Sequence, residues 1–468
     1  MLVLDYLQTT GQANPETQLT AEKFVATGYQ RLLTFEVTGG GFSLFGNPPA
    51  EIFLTAYGLL EFSDMAQVYP VDQAVIDRTA RWLLDQQRPD GTWLDQGYSE
   101  HWRVESQTPT TAYIAWALTE SGYGQTPEVQ RALDYVRQFA LQEDDPYSLA
   151  LAANALTAAA PSDSTSRAVL DRLYELRIED GDVVYWQNTD PSFMGASGES
   201  GSLETTALAA AAFMRGAAYP EVVNKALAYL VQGKDSWGTW STTQATILSL
   251  KALLLATEST GTVAQPVTVR VSLNKEQTQE FVIDERNADV VHAVTFGQGF
   301  SSGGANRVQL EVDGQANLMY QVTTSYYLPW EAIPPTPAAE ELISIDLSYD
   351  RTALAVNDTA TVDVSVRLNQ PGVVKMPLLD LGVPPGFTVL SEDLSRLVEQ
   401  GVISRYELTG RQIIIYLENL SSERPVHFSY RLQARFPMRA QTPPTTAYDY
   451  YNPAGQTIKE PFMITVIE

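Results

Sequence analysis

The feature that most constrains this chain is a regular alternation of two kinds of helical segment, which continues to about residue 257. Segments of the first kind are amphipathic. In "VDQAVIDRTARWLLDQQ" the apolar residues recur at intervals of three and four, as one face of a helix requires; they are Ile76, Ala80, Leu83 and Leu84. A helix with this pattern buries one face and leaves the other in water.

Segments of the second kind are apolar on every side, as in "IFLTAYGLLEF", "TTAYIAWALTE", "SLALAANALTAA" and "LETTALAAAAFM". Such helices have to be buried all round. Two concentric rings satisfy both kinds, because the inner ring packs on itself and on the outer ring. The alternation therefore predicts an α/α toroid of the six-hairpin type, with a repeat of roughly 40–55 residues. Six inner segments but only five outer ones are found when "LVLDYL" is counted as the first, so we expect the ring to be incomplete at its N-terminus.

The links from outer to inner segments carry a glycine followed by an aromatic residue, as in "GGGFSLF", "DGTW", "DGDVVYW" and "WGTW". Glycine allows a turn with positive φ. A large aromatic side chain can cover the helix ends beside that turn. We interpret these links as structural.

From about Gln265 the apolar period changes to two, which is typical of β-strands. "VTVRVSL", "EFVID", "VVHAVTF", "RVQLEVDG" and "MYQVTTSYYL" predict a small sheet. "TVDVSVRL" begins a second β region and places four apolar residues on one face, namely Val362, Val364, Val366 and Leu368. Within this region "SEDLSRLVEQG" predicts one helix, with Ser391 as N-cap and Gly401 at its end.

These patterns together predict a multidomain α and β chain. Its expected parts are a toroid over 1–260, a sheet over 261–330, a proline-rich linker over 331–341 and a β-sandwich with one helix over 342–468. A stiff linker is expected because prolines restrict the backbone.

Composition excludes several kinds of function. The net charge of −26 disfavours nucleic acid and anionic membrane surfaces as partners. The absence of cysteine excludes disulfides, thiolate metal sites and a cysteine nucleophile within this chain. The longest nearly apolar run, "SLALAANALTAAA", is too short to span a bilayer. We expect neither a cofactor nor a metal.

One alternative is an enzyme. "WLLDQQRPDGTW" fits a repeat of terpene cyclases, which are also α/α toroids, but those enzymes need Asp-x-Asp-Asp or Asp-Asp-x-x-Asp clusters. The nearest approach here, "EDDPYS", satisfies neither. Turnover of a prenyl diphosphate with Mg²⁺ would establish this alternative. A stand-alone adhesion or binding module that uses the β domains is a third interpretation.

Particular segments in collinear order resemble the C-terminal part of the alpha-2-macroglobulin and complement thioester-protein family. In the toroid they are "ATGYQRLLTFE", "QRPDGTW", "SLETTALAAAAF" and "STTQATILSLKAL"; in the sandwich they are "MPLLDLGVPPGF", "RQIIIYLENL" and "AYDYYNPAG". The resemblance implies a thioester domain, the C-terminal half of a CUB-like domain and a macroglobulin receptor-binding domain.

The resemblance also implies a function, that of a broad-spectrum protease-trapping inhibitor rather than an enzyme. In this family a cysteine and a glutamine form a thioester shortly before the stretch that matches "LVLDYL". We therefore expect both residues to lie upstream of Met1, which agrees with the missing cysteine and the helix-like start. The expected partners are trapped proteases and nucleophiles on target surfaces. The expected location is extracellular or periplasmic, and the lack of disulfides favours a bacterial source.

His101 is one of only three histidines. In complement members of the family, a histidine at this distance from the "DGTW" turn attacks the thioester and forms an acyl-imidazole. Imidazole suits this step because it is a neutral nucleophile near pH 7 and a good leaving group. The resemblance makes His101 a candidate catalytic residue, dependent on an upstream thioester. A surface-loop role is the alternative, and Arg103 departs from the acidic residue of the complement pattern.

The other histidines, His292 and His427, lie in β patterns and are interpreted as structural. Glu204, Thr206 and Gln244 match positions that recur in the family. We interpret these three as capping and packing residues at the start of inner helices.

Animal alpha-2-macroglobulins present two lysines on the helix of the last domain to a scavenger receptor. Ser391 and Ser395 stand at those positions here. Because a hydroxyl group cannot replace an ammonium group in an ionic contact, we do not expect scavenger-receptor binding.

Overall fold

The structure is a computed structural model. It describes residues 1–9, 15–44, 46–94, 107–235, 238–240, 242–259, 266–284, 287, 292–301, 304–314, 318, 320–324, 326, 332 and 341–468. Over these ranges helices predominate up to residue 259 and strands predominate from residue 267, as the change of apolar period predicts.

The inner ring consists of helices that pack side by side. They are α1 (Leu2–Thr9), α3 (Ile52–Ala66), α5 (Gln107–Leu118), α7 (Pro146–Ala159), α9 (Gly198–Arg215) and α11 (Thr243–Ser259). Each of these helices from α3 to α9 packs against the next inner helix, and α11 also contacts α1. Every residue of α5 after Gln107 is buried. The predicted inner ring is confirmed.

The outer helices are α2 (Pro15–Leu33), α4 (Gln73–Asp85), α6 (Pro127–Phe139), α8 (Ser164–Glu175) and α10 (Pro220–Gln232). In three of these helices the N-cap side chain accepts a hydrogen bond from a backbone N–H of the first turn. The caps are Asp72, Thr126 and Asp163. Ile76, Ala80 and Leu83 are buried as the amphipathic pattern predicts.

In three of the glycine-aromatic links a tryptophan joins two helices. Trp93, Trp186 and Trp240 are fully buried. Their indole Nε1 atoms donate to carbonyls near the end of the preceding outer helix, on Leu83 at 2.7 Å, Leu173 at 2.7 Å and Leu230 at 2.5 Å. Their backbone N–H groups donate to hydroxyls of the following inner helix, on Thr111, Thr206 and Thr246. The structural interpretation of the links is confirmed.

Two of these links also contain a short hairpin. The hairpins are β1 (Glu36–Val37) with β2 (Gly41–Phe42), and β3 (Ile178–Asp180) with β4 (Val183–Tyr185). The "DGTW" link shows why glycine is required. Gly91 has a φ of +87°, and a Cβ there would lie 2.9 Å from the carbonyl oxygen of Arg131.

After the toroid, three antiparallel strands form a sheet in the order β6-β5-β7. They are β5 (Val267–Leu273), β6 (Gln277–Ile283) and β7 (Val308–Asp313). The strands predicted in "VVHAVTF" and "MYQVTTSYYL" are wrong for their described residues, 292–296 and 320–324, which are irregular. The two edge strands of this sheet, β6 and β7, pair only with β5 in the described ranges, so the alternation of these segments is not matched by a partner strand.

The last region is a β-sandwich. One sheet has the order β13-β17-β10-β8 and the other β14-β15-β12-β19-β20, with β18-β21-β9 and β11-β16 as smaller sheets. Its strands are β8 (Ile343–Tyr349), β9 (Ala353–Ala355), β10 (Thr359–Leu368), β11 (Val373–Val374), β12 (Pro377–Gly382), β13 (Phe387–Val389), β14 (Arg405–Leu408), β15 (Gln412–Tyr416), β16 (Leu420–Ser421), β17 (Val426–Ala434), β18 (Met438–Gln441), β19 (Thr445–Asp449), β20 (Asn452–Lys459) and β21 (Met463–Ile467). The predicted apolar face of β10 is buried in the core between the sheets.

The helix of the sandwich, α12 (Ser391–Glu399), starts one residue earlier than predicted. Leu390 occupies the N-cap position without a side-chain cap, so the prediction of Ser391 as N-cap is wrong. The reason is tertiary: the backbone N–H of Leu390 donates to the carbonyl of Arg431 on β17, 3.0 Å away. Gly401, with a φ of +67°, follows the last turn as predicted.

The described residues contain neither a membrane-spanning helix nor a metal cluster. None of their helices is both long and apolar enough to cross a membrane. No three of their His, Asp or Glu side chains converge as a metal site would require.

Candidate functional site

The toroid and the sandwich meet where one inner helix begins. The turn between β19 and β20, called here the sandwich hairpin (residues 449–452), reaches residues 188–197 of the toroid, called here the docking loop. The side-chain Oδ1 of Asn452 accepts hydrogen bonds from the backbone N–H of Ser197 at 2.7 Å and from its hydroxyl at 3.2 Å. The Asn452 amide group also donates to the carbonyl of Gly195 at 3.4 Å. Asn452 is therefore the polar centre of this contact.

The sandwich hairpin is held in shape by Asp449. Its carboxylate accepts from the Asn452 side-chain amide at 2.8 Å and from the Tyr451 backbone N–H at 3.2 Å. Burial raises the pKa of Asp449, while these two hydrogen bonds oppose that shift. Asp449 thus fixes the orientation in which Asn452 meets the toroid.

The docking loop is itself tied to the toroid. The Asn188 side-chain amide donates to the carbonyl of Ala196 at 2.9 Å. The carboxylate of Asp145, which caps α7, accepts from both the backbone and the hydroxyl of Thr189. Gly201 is needed on α9, because a Cβ there would collide with the Asn188 side chain. The loop is therefore closed by the bond between Asn188 and Ala196 and is tied to α7 through Asp145.

Beneath the docking loop an aromatic cluster fills the end of the toroid at which the inner helices begin. Phe193 of the loop is fully buried. Its ring centroid lies 4.6 Å from that of Phe53, 5.5 Å from that of Tyr113 and 6.1 Å from that of Tyr147. Phe193 therefore acts as a plug contributed by the loop to three inner helices.

Below this plug lies Glu204. It is the seventh residue of α9, which starts at Gly198, so the interpretation of Glu204 and Thr206 as residues that open a helix is wrong. Glu204 is fully buried, and neither carboxyl oxygen has a hydrogen-bond partner of normal geometry. Burial raises the pKa of Glu204 to about 8, against a smaller opposite effect of the Ser192 hydroxyl. Glu204 is therefore protonated at neutral pH.

A second group of carboxyls lies further along α3. Burial raises the pKa of Glu61 to about 7, with Lys251 opposing the shift and Asp64 adding to it. Lys251 forms an ion pair with Asp64 at 2.5 Å. Burial also raises the pKa of the Tyr57 phenol, and the charge of Glu61 adds to that increase. Of the three carboxyls of Glu204, Glu61 and Asp64, that of Asp64 forms the ion pair with Lys251.

The candidate catalytic residue His101 lies outside the described residues, so its position relative to this site stays a prediction. The other two histidines are in the described part. His292 stacks on Phe281 with centroids 4.7 Å apart, and its Nε2 lies 3.2 Å from the carbonyl oxygen of Asn287. His427 pairs with Ser365 across β17 and β10.

The remaining sequence-predicted positions have structural surroundings. Thr206 accepts a hydrogen bond from the backbone N–H of Trp186 at 3.1 Å, so it packs rather than caps. At the start of α11 the hydroxyl of Thr242, not Gln244, accepts from the backbone N–H of Ala245.

On the helix of the sandwich, the hydroxyl of Ser395 lies 3.0 Å from that of Tyr406. Ser391 is the first residue of α12. Neither serine supplies the positive charge that the lysines of the animal proteins carry.

Sequence reasoning missed the groups that matter most at this site, which are Asn452, Asp449, Ser192 and Phe193. "AYDYYNPAG" carried the signal for the hairpin, because an Asx-type turn between strands is readable from it. Which surface the hairpin contacts is not readable from a local pattern. The arrangement brings no nucleophile and base together; instead it covers one end of the toroid with part of another domain.

Family models match two parts of the chain. That of the A-macroglobulin TED domain matches residues 1–255. That of the A-macroglobulin receptor binding domain matches residues 359–461. The two matches fall on the toroid and on the sandwich.

Among curated relatives, the chain is 22% identical to ovostatin of Gallus gallus over 484 aligned residues, which cover 98% of this chain and 32% of the relative. It is 23% identical to thioester-containing protein 1 allele R1 of Anopheles gambiae, over 98% of this chain and 33% of the relative. The chain thus spans about a third of the length of these relatives.

Among solved structures, the native alpha-2-macroglobulin of Escherichia coli, from domain MG7 to the C-terminus, aligns with a TM-score of 0.64 at 14% identity. The alignment covers 99% of this chain and 70% of that one. The Salmonella alpha-2-macroglobulin reacted with methylamine aligns with a TM-score of 0.63 at 18% identity, over 99% of this chain and 28% of that one. At these identities the likeness shows a shared fold.

Proposed function

We propose a function from one premise: the chain belongs to the A-macroglobulin family, since the model of that family's TED domain matches more than half of it. The chain then serves as the C-terminal part of a broad-spectrum protease-trapping inhibitor. It acts by covering a thioester before activation and exposing it afterwards, and it is not itself an enzyme.

The observation that carries this proposal is the contact between Asn452 and Ser197. It holds the sandwich hairpin against the end of the toroid where the inner helices begin. Because α1 is one of those helices, a thioester placed shortly before it lies at the same end. Polar contacts made by one side chain are weak enough to break when the parent protein changes shape. The contact therefore suits a cover that has to come away.

The reactive bond itself requires residues outside this sequence. The chain contains no cysteine, so the thioester cysteine and glutamine belong to an upstream segment of the parent protein. A protease cleaves a bait region there, the parent closes around the protease, and the exposed thioester acylates nucleophiles on the target's surface. His101 takes part as an acyl-imidazole when that thioester is present.

The proposal includes the domain limits and the location. The thioester domain spans 1–260, the half-CUB sheet 261–330, the linker 331–341 and the receptor-binding domain 342–468. The parent works outside the cell or in the periplasm, where it meets foreign proteases.

The test uses the protein as the cell makes it. An antibody raised against this chain isolates the parent, which is incubated with trypsin and with labelled methylamine. We expect the label on a glutamine upstream of Met1. We also expect the trapped trypsin to cleave small peptides but not large proteins. The purified 468-residue chain is the matched control and should take up no label. Free cleavage of large proteins together with an unlabelled parent would overturn the proposal.

The role of His101 has its own test in the parent. With an acyl-imidazole the activated protein prefers hydroxyl acceptors such as glycerol, because a plain thioester reacts faster with amines. His101→Ala should shift uptake from labelled glycerol to labelled methylamine. Equal partitioning in both proteins would make His101 an ordinary loop residue.

A further inference from the structure

We propose that Glu204 is a proton-controlled latch: the docking loop stays seated over the toroid, and in contact with the sandwich hairpin, while the Glu204 carboxyl is protonated, and it is released when that carboxyl ionises. This inference concerns the two domains described here and holds whether or not the proposed thioester exists.

The position of Glu204 favours an uncharged carboxyl. Glu204 is fully buried and its two carboxyl oxygens lack hydrogen-bond partners of normal geometry. An ionised carboxylate in such a place is strongly disfavoured, because its lost hydration is not replaced. A neutral carboxylic acid avoids most of that penalty. The closed arrangement therefore favours one protonation state.

The surroundings of Glu204 provide no compensating charge among the described residues that influence it. Tyr147 on α7 and Tyr57 on α3 feel its charge, and both are neutral phenols. From the docking loop, the Ser192 hydroxyl is the one group that favours the ionised form. On α11 the ammonium group of Lys251 is already paired with Asp64. From α10, Tyr229 is also neutral, and its pKa responds to Glu199 rather than to Glu204.

A short path connects Glu204 to the domain contact. The hydroxyl of Ser192 accepts from the backbone N–H of Ala196 at 3.2 Å, and the backbone N–H of Ser192 donates to the carbonyl of Ala196 at 2.9 Å. The next residue, Ser197, binds Asn452. Ser192 therefore links the carboxyl below the loop to the hairpin above it. If Ser192 shifts towards a charged Glu204, or if water enters, both hydrogen bonds between Ser192 and Ala196 break.

The sign of the effect follows from the two pKa values. With the loop closed the pKa of Glu204 is raised to about 8; in the proposed open state water reaches the carboxyl, and its pKa falls towards that of an exposed glutamate, about 4.3. Between these values the open state loses a proton that the closed state retains. Each pH unit therefore lowers the ratio of closed to open molecules about tenfold. Below and above this window the ratio levels off.

Asp449 is the competing explanation, since burial also raises its pKa and it shapes the sandwich hairpin. Its carboxylate accepts two hydrogen bonds, which Glu204 does not. A variant at each position separates the two carboxyls.

The experiment measures hydrogen exchange of the Ala196 and Ser197 backbone amides in the full 468-residue chain from about pH 5 to 9, corrected for intrinsic exchange. This readout detects rare opening as well as frequent opening. We expect the wild-type protection factors to fall about tenfold per pH unit up to about pH 8. Glu204→Gln should give high and pH-independent protection, and Asp449→Asn should retain the wild-type slope. Amides of β10, remote from the loop, are the internal reference.

Three results would overturn the latch: a flat wild-type profile, an unchanged slope in Glu204→Gln, or a slope abolished by Asp449→Asn. If Glu204→Gln does not fold, Glu204→Met provides a second neutral side chain of similar length. The same flat profile is expected from it, and a persistent slope has the same negative meaning.

Discussion

The toroid and the sandwich each bury a helical carboxyl group, and they treat it in opposite ways. In the sandwich, Asp393 on α12 accepts hydrogen bonds from the Arg431 guanidinium at 2.8 and 2.9 Å and from the Arg431 backbone N–H at 3.2 Å. These bonds hold the pKa of Asp393 below its usual range. In the toroid, Glu204 has no such partner and its pKa is raised to about 8. The Asp393 carboxyl stabilises the contact between α12 and β17, whereas the unpaired Glu204 carboxyl destabilises the folded toroid.

The difference shows whether each core can place a cation beside a buried carboxyl. Asp393 lies at the edge of the sandwich, where the β17 side chain of Arg431 reaches it from a half-exposed position. Glu204 lies among the alanines, threonines and aromatic rings of an inner helix that is buried on every side. A cation cannot reach that position without being buried as well, which is itself unfavourable. We therefore expect paired and unpaired carboxyls to respond oppositely to mutation and to pH.

The largest effect is expected for Asp393→Ala. Removal of the carboxylate leaves Arg431 without its partner and frees the first turn of α12 from β17, so the sandwich should lose about 2–3 kcal/mol of unfolding free energy. The measurement is the protection of the slowest-exchanging amides of β10 and β17. Glu392→Ala, at the exposed neighbouring position, is the control and should change it by less than about 0.5 kcal/mol. Equal effects of the two changes would remove the contrast on which this comparison rests.

The opposite sign is expected for Glu204→Gln. A carboxyl whose pKa is raised in the folded state destabilises that state at every pH above its unfolded pKa, and the effect is complete above about pH 8. Linkage alone gives the amide an advantage of about 3.6 kcal/mol at pH 7. The N–H groups of a buried, unpaired amide offset about 1–2 kcal/mol of this, so the toroid should gain about 2 kcal/mol at pH 7, and at about pH 4 only the small unfavourable offset should remain. All eight tryptophans precede residue 342, so tryptophan fluorescence during denaturation avoids a signal from the sandwich. Glu199→Gln, on the exposed first turn of the same helix, should be neutral at both pH values. Destabilisation by Glu204→Gln at pH 7 would contradict the unpaired state of the carboxyl.

A smaller effect tests whether the toroid depends on the polar groups that do have partners. Thr206→Val keeps the side-chain shape but removes the acceptor for the buried N–H of Trp186, so the toroid should lose about 1–2 kcal/mol. The matched control is Thr205→Val. The hydroxyl of Thr205 donates to the carbonyl of Gly201 within the same helix, so its loss should cost less than about 0.5 kcal/mol. Tryptophan fluorescence measures both. Similar losses would show that the link between helices adds nothing.

The sequence predicts the repeated elements better than the contacts between them. The alternation of helix types and the face of β10 are local periodicities, and both are confirmed. The start of α9 at Gly198 was not predicted, because "GESGS" has weak helix propensity. Within this first part of α9, Gly201 leaves room for the Asn188 side chain, a contact between distant residues that no local pattern shows.

The two carboxyls illustrate the same limit. Asp393 and Arg431 are 38 residues apart, and Glu204 meets a loop whose position depends on a different domain. The sequence alone shows that Glu204 is an acidic residue within an apolar helix, and buried glutamates without a partner are rare. Whether its carboxyl forms an ion pair, caps a helix or has no partner depends on neighbours that no local pattern specifies. The same reasoning explains why Leu390, rather than Ser391, occupies the N-cap of α12.

The smallest effect on stability, and the sharpest on the contact between the two regions, is expected for Asn452→Ala. Its amide bonds reach Ser197 and Gly195 across the boundary, while its β20 neighbours belong to the sandwich alone. Loss of a few solvent-accessible hydrogen bonds costs less than about 1 kcal/mol, so neither domain should unfold measurably earlier. Exchange of the Ser197 amide should nevertheless accelerate several-fold at every pH, because docking weakens while the charge on Glu204 still sets the slope. Gln456→Ala, exposed on the same strand, is the control and should leave that exchange unchanged. If Asn452→Ala instead abolished the pH dependence, the hairpin rather than the buried carboxyl would control the loop, and the opposition between the two carboxyls would be irrelevant to how the domains meet.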